Sequence, residues 1–211
     1  MLFYPIALFF LWLVVRELFS GAPRDGFNLG YMGICLLLAA LSLWSPLSTW
    51  QLERKLTDVT HRLADFKPAK VKCEGIFESI FDQSGIKTAG YANVATGDVV
   101  FKAGWCKEMK RYLGDPESAD LRAQFSVVML VHEAMHVRGE RNEQRTECQA
   151  QQRYYRAARM LGISEITAKK HGILYFNTHF PKHPYYSAEC RPNGNLDENL
   201  PDSLWNYLDS A

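Results

Sequence analysis

Apolar residues are concentrated at the start of this chain. Residues 2–15 carry no charge. After Arg16-Glu17 and the turn-rich stretch Ser20-Gly21-Ala22-Pro23-Arg24-Asp25-Gly26, a second uncharged run covers residues 26–52. This second run holds Ile34-Cys35-Leu36-Leu37-Leu38-Ala39-Ala40-Leu41 between Tyr31, Trp44 and Trp50. A membrane-spanning helix needs about 20 mostly apolar residues, and aromatic side chains gather at its interfaces. The pattern predicts two transmembrane helices, about 2–20 and 28–48, within an anchor over residues 1–50. No basic residue precedes the first run, which argues against a cleaved signal peptide.

The pattern then changes. Residues 51–70 are polar, with Leu52, Leu56, Val59 and Leu63 near helical spacing, and end near Pro68. They read either as a helical stalk or linker or as the first helix of the domain that follows. Residues 76–81 read as a short helix. Residues 89–94 and 98–103 are β-like on either side of Thr96-Gly97-Asp98, a hairpin turn. A short helix over 106–113 is broken by Gly114-Asp115-Pro116. Ser118 or Asp120 can cap the next helix, which runs to about Arg138. Another covers about 141–161 and stops at Gly162, and a third runs from 165 to about 176 with Ser164 as cap. The tail from Pro181 reads as irregular. The fold class is α+β: transmembrane helices followed by a small, mainly helical domain, 71–211, with a β-hairpin before its most apolar helix.

Composition sharpens this division. Hydrophobic residues make up 47% of 211 residues, yet the mean hydropathy is only -0.20. The soluble part is therefore polar. A net charge of +1 offers no electrostatic case for nucleic acid as a partner.

The apolar helix ends in His132-Glu133-Ala134-Met135-His136, an HExxH pentapeptide. Positions i and i+4 stack on one helical face, so both imidazoles can reach one metal ion, and Glu133 projects towards its open position. The uncharged stretch here is only 123–131, too short to bury the site inside a bilayer. Gly139 follows as a helix stop. The next helix carries Glu143 and Glu147, four apart on one face. In an antiparallel hairpin about Gly139-Glu140, Glu143 lies level with His136 and Glu147 with His132.

From Asn142 the chain reads Asn142-Glu143-Gln144-Arg145-Thr146-Glu147. Over about residues 121–152 it resembles the gluzincin zinc metallopeptidases, in a minimal membrane-anchored version with a zincin-like domain. The resemblance implies that His132, His136 and Glu143 bind Zn2+, that Glu133 is the general base, and that Glu147 orients an imidazole, that of His132. Only six residues separate His136 from Glu143, so Glu147 stays open as the alternative ligand. It implies a peptide or protein substrate, aligned by an edge strand; residues 98–103 would be that strand, or would simply cover the core. A second donor to the developing oxyanion would come from Tyr154, Tyr155, His171, Tyr175, His179, His183, Tyr185 or Tyr186. His171, His179 and His183 could also suggest another metal site, though their spacing argues little for one. The alternative function is a membrane-anchored zinc-binding protein without peptidase activity, acting as a binding or structural module.

Two features disagree on sidedness. Arg54, Lys55, Arg62, Lys67, Lys70 and Lys72 follow the second span, which by the positive-inside rule puts the domain in the cytoplasm. Cys73, Cys106, Cys148 and Cys190 fit no zinc-finger spacing and suggest two disulfides, hence an oxidising compartment. Three pairings are possible; Cys73 with Cys106 and Cys148 with Cys190 is preferred. The expectation is an integral cell-membrane protein with an extracytoplasmic catalytic domain.

Overall fold

The computed structural model describes residues 3–21, 25–75 and 90–210. It forms two compact units, Met1–Leu52 and Glu53–Ala211. The first holds α1 (Phe3–Phe19) and the start of α2 (Gly26–Leu63). Its surface is inverted relative to a soluble helix pair. The large side chains of Phe27, Ile34, Leu41 and Trp44 are exposed, while Ala7, Cys35 and Ala39 are buried. Among the described residues α2 is the one helix long and apolar enough to cross a membrane. The expected first span is helical, but with 17 residues α1 does not join it, so one of the two expected spans is found among the described residues.

α2 does not stop where its apolar part ends. It continues unbroken to Leu63 and buries Leu56, Val59, Thr60 and Leu63. These fall on one helical stripe, which settles the two readings of residues 51–70: this stretch opens the domain rather than standing off from it. Asp65 and Phe66 then adopt left-handed backbone (φ 54 and 61), which turns the chain out of the helix.

The sheet has three strands in the order β1-β3-β2: β1 (Lys70–Cys73), β2 (Gly90–Ala92) and β3 (Asp98–Phe101). β1 runs parallel to β3 with Val71 opposite Val99, and β2 runs antiparallel with Tyr91 opposite Val100. Val71, Cys73, Val99 and Phe101 bury one face. The hairpin forms around the expected turn. Asn93 Oδ1 accepts the Ala95 N–H at 2.9 Å, and Gly97 takes φ 77, where a Cβ would lie 2.0 Å from the Pro68 carbonyl oxygen.

Two corrections follow. β3 is the middle strand, so both its edges are occupied and residues 98–103 cannot align a substrate by strand addition. The strand also ends at Phe101, because Ala103 already begins a helix. The short helix expected over 76–81, and Ala89, lie outside the described residues.

Four helices follow: α3 (Ala103–Gly114), α4 (Leu121–Arg138), α5 (Glu143–Met160) and α6 (Glu165–Thr178). α4 is the core element, packed against α3, α5, α6 and the sheet. It is buried on nearly all sides, including Val127, Val128, Leu130, Val131 and Met135. The tail is irregular as expected, apart from 3-10 turns at Phe180–Lys182 and Leu204–Ser210.

Disulfides join Cys73 to Cys106 and Cys148 to Cys190. The first staples β1 to α3, the second α5 to the tail. Cys35 is the one free cysteine among the described residues. Peptide mapping without reductant is expected to recover both cystines and a single alkylatable thiol, Cys35. Recovery of alkylated Cys148 or Cys190 from native protein would contradict the staples.

Candidate metal centre

α4 starts at Asp120, whose carboxylate accepts the Ala123 N–H at 2.9 Å. Ser118, the other expected cap, donates its hydroxyl to Asp115 instead. The helix ends at Gly139 (φ 114), whose N–H reaches the Met135 and His136 carbonyls. The link to α5 is then tied down residue by residue. The Glu140 carboxylate accepts from the N–H groups of Arg141 and Asn142, each at 2.9 Å. Asn142 caps α5 by accepting the Arg145 N–H at 3.0 Å. These contacts hold 141–142 outside the helix, so α5 begins at Glu143 rather than near 141.

This turn brings Glu143 against both histidines. The Nε2 atoms of His132 and His136 lie 3.1 Å apart, and Glu143 Oε2 lies 3.1 Å from the first and 3.5 Å from the second. Glu147, one turn on, meets the opposite side of His132: its Oε2 is 2.9 Å from Nδ1. So Glu143 joins the two Nε2 atoms, and Glu147 does not. His136 Nδ1 donates to the Glu140 carbonyl at 2.9 Å.

Partners fix the protons. A backbone carbonyl only accepts, and an ionised carboxylate only accepts, so each Nδ1 carries hydrogen. In neutral imidazoles both Nε2 atoms are then bare lone pairs. They face one another and the Glu143 carboxylate with no donor among them. Three acceptors this close repel unless a cation sits at their common vertex. Bonds of about 2.0–2.1 Å to a tetrahedral ion place ligand atoms about 3.3 Å apart, which the separations of 3.1, 3.1 and 3.5 Å match. The ligand atoms of His132, His136 and Glu143 could hold a metal ion, and among the described residues they are the one such group. Without metal, a second proton on His132 is the competing occupant. Burial opposes that charge, but the hydrogen bond to Glu147 and the charges of Glu147, Glu133 and Glu143 outweigh it and raise the His132 pKa.

Glu133 is buried beside the cluster. Desolvation raises its pKa, the two histidines draw it back, and Glu143 adds to the rise. Glu147 is itself held by Gln151, which donates to its Oε1 at 2.8 Å, and its charge acts on the nearby Tyr175 hydroxyl of α6. Burial first and the Glu147 charge next push the Tyr175 pKa far above its usual value, so this hydroxyl keeps its proton. Tyr185 stacks on His132, ring centroids 6.1 Å apart. The Glu143 charge, then burial, raise its pKa too.

The other aromatic and histidine candidates lie elsewhere. Tyr154 and His171 share a buried cluster with Tyr112. Tyr155 packs on Tyr207, His179 on Tyr175, and Tyr186 on Phe180. His183 sits between Phe125 and Tyr185. His171, His179 and His183 therefore form no second site among the described residues. Gln151 and the Glu140 carbonyl were missed in the sequence. Gln151 was findable, because it repeats the four-residue spacing of Glu143 and Glu147; a backbone carbonyl has no sequence signal.

Comparison of the chain with protein-family models, with curated proteins and with solved structures finds no match.

Two outcomes test this geometry. Gly139→Ala forces a Cβ into left-handed backbone, 3.2 Å from Lys67 Nζ, and is expected to cost about 1–2 kcal/mol in thermal unfolding. Metal affinity, read by chelator competition, is expected to fall as the pH drops through the raised His132 pKa, since protons then occupy the ligand nitrogens. Affinity that stays flat through that range would refute the assignment of His132.

Proposed function

We propose that this chain is a membrane-anchored, zinc-dependent metallopeptidase of the gluzincin type. One observation carries the reading: two imidazole nitrogens and a carboxylate oxygen converge at 3.1–3.5 Å, next to a buried glutamate one residue from the first of them. Two imidazoles and one carboxylate suit zinc, and three protein ligands are the number found where a fourth position stays open for chemistry. When bound, the ion acidifies a water and polarises a carbonyl.

The chain's own groups supply the rest. Glu133 takes the proton of the attacking water and returns it to the leaving amide nitrogen; its raised pKa suits a group that must hold the proton between those events. Tyr185, protonated and beside His132, donates to the carbonyl oxygen as that oxygen gains charge. Glu147 and the Glu140 carbonyl keep both imidazoles in the tautomer that presents Nε2. Gln151 holds Glu147 in turn. With β3 enclosed, β2, an outer strand among the described residues and beside α4, would line up an extended peptide or protein substrate.

The exposed apolar length of α2 supports an integral anchor, and the two disulfides support an extracytoplasmic domain. Glu133→Gln is expected to keep stoichiometric zinc and lose at least 100-fold in peptide hydrolysis, and chelation should abolish the wild-type activity. A Glu133→Gln chain as active as wild type would reject this mechanism. A zinc-loaded wild type inert towards all peptides would favour the non-catalytic zinc protein.

A further inference from the structure

The C-terminal tail carries one carboxylate that reaches both ligand-bearing helices. We propose that Glu198 is a positioning residue of the metal centre: it clamps the end of α4 to the side of α5 and so sets the spacing of His136 and Glu143. The inference rests on the metal-site reading above.

Glu198 Oε1 accepts from Arg138 Nη1 and from Gln149 Nε2, both at 3.0 Å. Its other oxygen forms an ion pair with the Arg153 guanidinium. Arg138 stands two residues past His136 and directly before Gly139, while Gln149 and Arg153 lie on α5. One carboxylate thus bridges the end of α4 and the side of α5. The tail around it is fixed to α5 as well. Gln152 Oε1 accepts the Glu198 N–H at 2.8 Å, Gln152 Nε2 donates to the Leu196 carbonyl at 2.9 Å, and Cys190 is bonded to Cys148, the neighbour of Glu147.

The physical need for such a clamp lies in the site itself. Ligand atoms this close need a fixed spacing, and Arg138 sits where α4 enters the turn, so the tail carboxylate adds a side-chain restraint to the backbone one at 139–142. A buried guanidinium has no freedom to seek another partner: Arg153 is 2% exposed, and among the described residues Glu198 is the carboxylate within ion-pair distance. Arg138 is shared with Asp65, at 2.6 Å from its Nε, which aims its Nη1 at the tail.

The test compares full-length wild type, Arg138→Gln, Glu198→Gln and Glu198→Asp. It reads zinc affinity by chelator competition, the visible spectrum of the cobalt-substituted protein, and thermal stability. Removing an outer partner of a metal site costs about 10–100-fold in affinity. Arg138→Gln and Glu198→Gln are expected to weaken zinc binding by at least about 10-fold and to shift the cobalt bands, with Glu198→Asp restoring most of both. Should Glu198→Gln fail to fold with Arg153 unpaired, Arg138→Gln decides alone, because it leaves that pair intact. A lower melting temperature with unchanged affinity and cobalt spectrum overturns the positioning role. A wild type that takes up neither zinc nor cobalt overturns the metal centre itself.

Discussion

The meeting of two imidazole nitrogens and a carboxylate oxygen is the constraint around which the polar contacts of this domain are arranged. His132 Nε2, His136 Nε2 and Glu143 Oε2 face one another while both Nδ1 atoms are engaged elsewhere, that of His132 by Glu147 and that of His136 by the Glu140 carbonyl. A chain selected only for stability would not converge lone pairs in a largely buried place, since unpaired polar groups there cost several kcal/mol in total. A cation among them would make the arrangement favourable, and metal binding and folding would then be linked.

The rest of the fold supports that cluster at successive distances. Closest in, Glu140 and Asn142 tie down the backbone after Gly139 and fix where α5 starts, at Glu143. Next, Glu147 braces His132 and is braced by Gln151. Farther out, the tail binds both helices through Glu198 and the Cys148–Cys190 bond. A small domain has few apolar contacts to spare for holding strained polar groups, and covalent staples with a buried ion pair take over part of that task.

Legibility in the sequence followed the range of the interactions. α4 and α5 were readable because their signals are local: an acidic cap, an HExxH turn, a glycine stop, and glutamates at helical spacing. The two cystines were readable from count and placement alone. β1 was not, because Lys70 and Lys72 alternate with only Val71 and Cys73, and four residues with two lysines look like linker; without it, β3 passed for an edge. The continuation of α2 into the domain was ambiguous for a similar reason, since Leu52, Leu56, Val59 and Leu63 serve equally a free amphipathic helix and a packed one. Glu198 was invisible: a carboxylate that meets Arg138 and Arg153 across 60 and 45 residues of chain leaves no periodic trace.

The structure also bears on the disagreement between charge and cysteine. The basic residues after α2's apolar part are the ones that the positive-inside rule weighs. Several have structural partners in the domain. Lys55 donates to the Leu161 carbonyl at 2.7 Å, Lys67 to the Arg138 carbonyl at the end of α4, and Arg62 pairs with Asp58 at 3.1 Å. Lys67 thereby satisfies a helix-end carbonyl two residues from His136. These charges have a reason to be present whichever side the domain occupies, so their number says less about topology than it would on a disordered loop. The cystines are both buried, and each joins two elements, β1 with α3 and the tail with α5. Disulfides persist in oxidising compartments, and that is the ground on which the extracytoplasmic placement is proposed.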